Sequence, residues 1–160
     1  MKLEAKFYAQ NNRLYFLDGK ELDATKHIEV TACEISEKCT NPDTLYGIRV
    51  SYSEVGEDED SYNEDFLARL RDDLKALEEK NVFAFIIPCG TDKDRHKDDF
   101  TFSMKHCARR IKDCESVVGF ARPDLNADFF TEEVSAKHKH YIFFENNEDV
   151  LCNCSNLVRY

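Results

Sequence analysis

The sequence predicts an α/β domain in which five to six mostly parallel strands form one sheet with flanking helices. Residues 82–87 and 117–121 are short, uninterrupted apolar runs, typical of strands buried on both faces. Amphipathic helical patterns alternate with these runs, and this rhythm predicts right-handed strand–helix–strand units. An Asp18-Gly19 pair between β-forming residues adds an N-terminal β-hairpin, since such a pair supplies the positive φ angles of a tight turn.

Length and charge limit the possible classes of protein. The chain has 160 residues, which fits one domain, 1–160, with an N-terminal hairpin segment, 1–26, and a core of strand–helix repeats, 27–154. Its formal charge of −10 makes it acidic and argues against nucleic acid or anionic membranes as partners. No signal peptide or membrane-length apolar run is apparent, and the seven cysteines fit reduced thiols, so we expect a cytoplasmic protein.

The first elements follow from local patterns. Residues 13–22 form the predicted hairpin, and residues 27–33 alternate as a half-buried strand does. Residues 34–43 are short for a full crossover helix, so the orientation of strand 27–33 relative to the next strand, 45–52, stays open. A helix then begins after Asn63 as N-cap and ends near Asn81. Its apolar stripe consists of Phe66, Leu67, Leu70, Leu74 and Leu77.

The second half continues the rhythm. The next helix carries Met104, Cys107, Ala108 and Ile111 on one stripe, and Asn126 is placed to cap a third helix. Residues 141–144 form the following strand, and residues 150–152 are predicted as a last short strand.

Several of these segments resemble cellulase-type glycoside hydrolases, which are (β/α)₈ barrels. The resemblance covers Gly47-Ile48-Arg49-Val50, the helix ending at residues 77–81, and the strand at residues 82–88. It extends to the helix with Ala108-Arg109 and the strand at residues 117–120. The resemblance covers about two thirds of the chain. It implies the N-terminal half of a barrel, so that the fold would resemble a truncated TIM barrel. In the family, the arginine at the position of Arg49 supports the catalytic nucleophile.

The chain departs from the family where catalysis would require a match. The family's asparagine-glutamate pair falls on Asp124-Leu125, and leucine cannot donate a proton. A complete barrel needs about 250 residues, and the family's nucleophile comes from the seventh strand. A shortened barrel also exposes a sheet edge, which predicts a homodimer or closure of that edge by the N-terminal hairpin.

The loops after the predicted strands form the expected site, because ligands of parallel α/β folds bind at the carboxyl ends of the strands. We predict ligand-binding residues in these loops: Arg49, Tyr52, Cys89, Asp92, Arg122, Asn126 and Asn146. The candidate catalytic carboxylates are Glu145 with Asp124 or Asp92, as a glycosidase pair. The competing interpretation is that Glu145 is solvated or paired with Arg49 or Arg122.

Cysteine and cofactor chemistry has weaker support in the sequence. Cys89 is a nucleophile only if His96 or His106 lies near it; otherwise it is a small buried residue. Cys152 and Cys154, with His138 and His140, lack the spacing of a structural zinc site, so no metal site is predicted. No phosphate-binding glycine loop is present, and no cofactor is predicted.

Three functions follow. The first is a non-catalytic glycoside-hydrolase-like domain that binds a carbohydrate or a protein partner. The second is an active glycosidase or other hydrolase with relocated carboxylates, Glu145 foremost. The third is an unrelated, flavodoxin-like regulatory or assembly protein.

Overall fold

A computed structural model describes residues 3–56, 60–90 and 97–160, with Lys97 described in its backbone only. The main sheet of this described part has six strands, all parallel, in the order in which they occur along the chain. They are β3 (Ile28–Thr31), β4 (Leu45–Ser51), β5 (Phe83–Cys89), β6 (Val117–Ala121), β7 (Ile142–Glu145) and β8 (Val158–Arg159). The predicted fold class, a parallel sheet with flanking helices and an N-terminal hairpin, is confirmed.

Helices connect the strands. They are α1 (Ile35–Lys38), α2 (Tyr52–Val55), α3 (Glu64–Glu79), α4 (Lys97–Ile111), α5 (Ala127–Ser135) and α6 (Glu148–Asn153), with 3₁₀ turns at Ala24–Lys26 and Ala32–Glu34. Among the described residues, no helix is both long enough and apolar enough to cross a bilayer.

The two faces of the sheet are covered by different elements. The outer face packs against the helices through Ile48, Ile86 and Phe120, which share one core cluster with Leu70 and Met104 of α3 and α4. The inner face packs against the N-terminal hairpin through a second cluster. That cluster includes Phe7, Leu14, Leu22, Leu45, Phe85, Val118, Phe144 and Val158. Side chains of a strand alternate between faces, so the parity of a residue decides which of these two environments it meets.

The hairpin pairs differently from the prediction. Its strands are β1 (Phe7–Gln10) and β2 (Arg13–Phe16), and the turn is Asn11-Asn12, both at positive φ. Asparagine tolerates the left-handed conformation that a two-residue turn of this kind requires. The chain also reverses at Asp18-Gly19, but the residues after this turn pair with β2 only through a single bridge between Tyr15 and Glu21.

The hairpin also contacts the edge of the main sheet. The Asn12 side chain donates hydrogen bonds to the Cys154 carbonyl at 2.7 Å and the Leu157 carbonyl at 2.8 Å. The Arg159 backbone N–H donates to the Asn12 carbonyl at 3.0 Å. The hairpin therefore covers part of the β8 edge, as one of the two predicted solutions to an exposed edge requires.

Three predictions about elements are resolved by the strand order. β3 is parallel to β4, and the short crossover consists of a 3₁₀ turn and the single turn of α1, with Ile35 buried. The predicted strand at residues 150–152 is wrong, because these residues belong to α6, and the last strand is β8. A flavodoxin-like layout is also wrong, because its strand order reverses at a switch point and this one does not.

Of the predicted helix ends, those at Asn63 and Asn81 agree with the structure, whereas the side-chain cap at Asn126 does not. The Asn63 side chain accepts a hydrogen bond from the Phe66 N–H at 3.0 Å and caps α3 as expected. Asn81, at φ 56°, follows the last turn of α3 in the left-handed conformation. Asn126 precedes α5 in the same conformation, but its side chain forms no capping bond.

Candidate binding site at the carboxyl ends of the strands

The residues at the carboxyl ends of the strands divide between the two faces of the sheet. Arg49 and Cys89 have the parity of Leu45 and Phe85, which places them on the inner face. Glu145 has the parity of Phe143, which packs against the helices. The structure therefore brings Arg49, Cys89 and Glu145 to the carboxyl ends of the strands but not to one face of the sheet.

The outer cluster centres on a buried ion pair. Arg122 Nη1 lies 3.0 Å from Glu145 Oε1, and the side chains of both residues are only 7% exposed. The guanidinium also donates to Thr131 Oγ1 at 3.0 Å and to Asp128 Oδ1 at 2.5 Å, both on α5. Glu145 Oε2 accepts the Asn146 N–H at 3.0 Å and the Asn147 N–H at 3.4 Å. The pair thus joins β6, β7 and α5. This agrees with the interpretation in which Glu145 pairs with Arg122.

An open cleft of about 880 Å³ lies beside this pair. Its walls come from the start of α5 and from α6 with the turn that follows it, including Phe129, Val150 and Leu157. Arg122 and Glu145 line it, yet their charged atoms already bond to each other and to α5. The cleft therefore has volume for a ligand but offers little uncommitted charge from this pair.

The inner cluster is more open, and we call it the inner rim: Glu29, Arg49, Cys89 and Tyr160. Glu29 and Arg49 are exposed, while Cys89 and Tyr160 are partly buried. Burial raises the pKa of the Cys89 thiol, and the positive charge of the Arg49 guanidinium opposes that rise. A raised pKa disfavours the thiolate, so this cysteine is not activated as a nucleophile.

Tyr160 links the rim to the acidic residues of the edge. Burial raises its pKa to about 12, and the carboxylates of Glu145, Asp124 and Glu29 add to the rise. Its ring lies 5.4 Å from Phe85 and 5.5 Å from His27, centroid to centroid. The phenol therefore stays protonated at neutral pH and remains a hydrogen-bond donor.

Gly47 forms part of the floor below the rim. A Cβ atom built at this position would lie 2.6 Å from Ile87 Cδ1, 3.2 Å from His27 Cδ2 and 3.3 Å from Phe85 Cζ. These distances are below van der Waals contact, so the glycine allows the His27 and Phe85 rings to approach the strand closely.

Of the remaining predicted site residues, Asp124 and Asn126 line the cleft beside the Arg122–Glu145 pair, whereas Tyr52 lies apart from both clusters. Tyr52 is buried, 4% exposed, and its ring packs 5.9 Å from that of Phe100 in the outer core, so it is not available to a ligand there. Asp124 and Asn146 are exposed in loops, and the Asn126 side chain donates to Asp98 Oδ1 at 3.4 Å. Asp92 lies outside the described residues.

The cysteine and metal hypotheses gain no geometric support. His106 Nε2 bonds to Glu64 Oε1 at 2.6 Å, and its ring stacks on Tyr62, while His96 lies outside the described residues. Within residues 3–56, 60–90 and 97–160, no three His, Cys, Asp or Glu side chains are grouped to hold a metal ion.

Sequence analysis missed His27, Glu29 and Tyr160. The alternation of residues 27–33 placed His27 and Glu29 on one face, but nothing in it showed that this face was the inner one. Tyr160 follows β8, which the sequence pattern did not reveal because the strand has two residues.

Two known structures are similar to this chain at low sequence identity. Hydroxymethylglutaryl-CoA lyase from Pseudomonas aeruginosa matches with a TM-score of 0.52 and 11% identity, over 89% of this chain and 55% of that chain. A GH5_18 protein from Bifidobacterium longum subsp. infantis matches with a TM-score of 0.47 and 10% identity, over 71% of this chain and 37% of that chain. The chain has a partial TIM-barrel-like fold. It spans about half the length of the lyase and just over a third of the GH5_18 protein.

At these identities the likeness concerns the fold alone, since one fold hosts many functions. No protein-family model matches the chain, and no curated protein matches it in sequence.

Proposed function

We propose that this chain is a non-catalytic, glycoside-hydrolase-like domain that binds a carbohydrate at the inner rim. The observation that carries the proposal is the bonding of Glu145. Both of its carboxylate oxygens accept hydrogen bonds, from Arg122 and from two backbone N–H groups, and its parity is that of the outer face. A glycosidase instead needs one protonated and one ionised carboxyl facing the sugar.

The second carboxylate that a glycosidase would require lacks a rigid support, although Asp124 lines the same cleft as Glu145. Asp124 is exposed in the loop after β6, and Leu125 occupies the position where the resembled family has its acid. Retaining enzymes hold their two carboxyl groups about 5–5.5 Å apart on rigid supports. The described residues supply Glu29 as the inner-face strand carboxylate at this edge, without such a partner on a neighbouring strand.

The inner rim has the groups that a neutral, hydroxylated ligand uses. Arg49 supplies donors, Glu29 supplies acceptors, and the Tyr160 phenol supplies both beside a partly exposed ring. A few polar groups around an aromatic surface are typical of small-molecule sites. The sequence resemblance to cellulase-type enzymes makes a β-linked glucose oligomer the first ligand to test.

The test uses cello-oligosaccharides and two arginine variants. Wild type should show a rise in melting temperature with ligand, because a ligand that prefers the folded state stabilises it. Arg49→Gln should weaken binding by roughly tenfold or more, since hydrogen bonds to charged groups contribute about 1.5–3 kcal/mol. Arg109→Gln is the matched control, because Arg109 is equally exposed but lies on α4.

Hydrolysis of aryl β-glucosides by the same preparations separates binding from catalysis. Wild type and Glu145→Gln should both give the buffer rate. Turnover by wild type that Glu145→Gln abolishes would establish the hydrolase instead, and saturating cello-oligosaccharide without a melting shift would contradict the binding proposal.

The proposal also covers self-association. β3 is an edge strand with Ile28 half exposed, and such edges pair readily with a second chain. Sedimentation equilibrium should detect a homodimer that Ile28→Lys dissociates; a monomer at all concentrations would contradict it.

A further inference from the structure

A basic pocket lies at the opposite, amino-terminal end of the sheet. It has a volume of about 350 Å³, and its charged residues come from the segments that follow α4 and α5. The lining residues are Leu3, Lys112, Asp113, Lys137, His138, Lys139 and His140. Three lysines against one aspartate make this a local reversal of sign in a chain whose formal charge is −10. The sequence pattern had indicated no basic patch.

The positive charge of this pocket is not neutralised by the aspartate beside it. Asp113 bonds to Arg71 of α3 at 2.5 Å and 3.2 Å, and Lys75 lies 3.9 Å from the same carboxylate. These cations hold the pKa of Asp113 below its usual value. In the part of the chain that the structure describes, Lys112, Lys137 and Lys139 form no ion pair. Their charges are therefore available to a ligand.

Two histidines lie in the wall, and neighbouring groups hold the ring of His138 in place. The His138 ring stacks on Tyr141 at 4.3 Å with an interplanar angle of 12°. Its Nδ1 accepts the His140 backbone N–H at 3.1 Å, so the proton of the neutral ring lies on Nε2. The pocket thus combines three lysine side chains with an imidazole ring in a fixed position, which reduces the ordering cost of binding.

We infer that this pocket binds a small phosphate-bearing anion, at a site separate from the inner rim. A phosphate group has a compact multiple charge and several acceptor oxygens, which suits three ammonium groups around one concavity. The volume is within the range of small-ligand pockets, about 300–1,000 Å³. Leu3 and the lysine stems form an apolar part of the wall, which would contact the organic part of a phosphate ester.

Charge and size favour a small anion over a nucleic acid. A long polyanion would extend beyond the pocket onto a surface that repels it, because the whole chain carries a formal charge of −10. Glu4 and the Lys6–Glu115 ion pair line the adjoining depression, so the positive potential is confined to the pocket itself.

The experiment is a titration with pyrophosphate, followed by ¹H–¹⁵N NMR and by calorimetry. Saturable shifts should appear at residues 137–140 and 112–113, while the inner rim residues stay unchanged. The pair Lys137→Gln/Lys139→Gln should weaken binding about five- to tenfold, the size expected for losing two partly exposed charge contacts.

The control pair is Lys26→Gln/Lys80→Gln, which removes the same charge from exposed positions elsewhere. This pair should leave the affinity within about twofold of wild type, because only screened long-range charge changes. Equal weakening by both pairs would show a general charge effect and overturn the site, as would the absence of saturable shifts at residues 137–140. A short DNA oligonucleotide that binds more tightly than pyrophosphate would overturn the choice of a small anion.

Discussion

The inner rim and the Arg122–Glu145 pair both lie at the carboxyl end of one sheet, but the pair is buried and the charged residues of the rim are exposed. On the outer face, a carboxylate and a guanidinium are buried and bonded to each other and to α5. On the inner face, Arg49 and Glu29 remain exposed above a floor of apolar side chains. Position along the strand brings a residue to the carboxyl end of the sheet, but parity decides whether its side chain is buried in the fold or exposed.

The largest expected effect comes from breaking the outer pair. Glu145→Ala should lower the free energy of unfolding by about 3–5 kcal/mol, because it leaves the buried Arg122 charge uncompensated. The measurement is urea unfolding, analysed with the double variant Arg122→Met/Glu145→Leu. That double variant should recover most of the loss, since well-packed apolar residues replace a buried pair at little cost. A double variant that is no more stable than Glu145→Ala would contradict the stabilising role of the pair.

Enlarging the floor of the inner rim should have a smaller effect. Gly47→Ala should cost about 1–3 kcal/mol, because the added methyl group overlaps Ile87 and crowds His27 and Phe85. Thermal unfolding of Gly47→Ala alone and with Ile87→Val measures it. The second change should restore part of the stability by making room, and Ile87→Val alone serves as the control. No loss in Gly47→Ala would show that Ile87, His27 and Phe85 can move to accommodate the methyl group.

The thiol at the inner rim offers a pH test. Burial raises the pKa of Cys89 and Arg49 opposes the rise, so Arg49→Gln should move the alkylation profile of Cys89 further to alkaline pH. Iodoacetamide labelling followed by mass spectrometry measures the profile residue by residue. Cys33, Cys152 and Cys154 are exposed and serve as internal references whose profiles should not change. An unchanged Cys89 profile would show that Arg49 does not affect the pKa of the thiol.

The smallest effect should come from the exposed carboxylate that the sequence also singled out. Asp124→Asn should change the free energy of unfolding by less than about 0.5 kcal/mol, as exposed substitutions usually do. Guanidinium unfolding beside Glu145→Ala makes the contrast quantitative. A loss comparable to that of Glu145→Ala would mean that Asp124 belongs to the buried network.

Much of the fold was predictable because its signals are local. The apolar runs of β5 and β6, the stripes of α3 and α4 and the Asn63 cap each depend on a few neighbouring residues. The hairpin was misplaced because two turn signals compete, and the packing of Phe7 and Leu14 on the inner face decides between them. The cap at Asn147, whose side chain accepts the Asp149 N–H at 3.0 Å, signals α6, but the apolar residues 150–152 suggested a strand.

The site was less predictable, for a physical reason. Strands buried on both faces lack the alternation that reveals parity, so residues 141–144 did not show which way Glu145 points. The basic pocket was hidden for a different reason. Its lysines follow two helices that are separate in sequence, and only the parallel sheet brings the ends of those helices together.

One measurement tests the central claim, that the outer pair supports the fold while the inner rim binds the ligand. It is the cello-oligosaccharide affinity of Arg122→Met/Glu145→Leu, compared with that of Arg49→Gln, in preparations whose folding is verified by circular dichroism. We expect an affinity within about twofold of wild type for the double variant and a loss of roughly tenfold or more for Arg49→Gln. Binding that disappears in the folded double variant but persists in Arg49→Gln would contradict the claim.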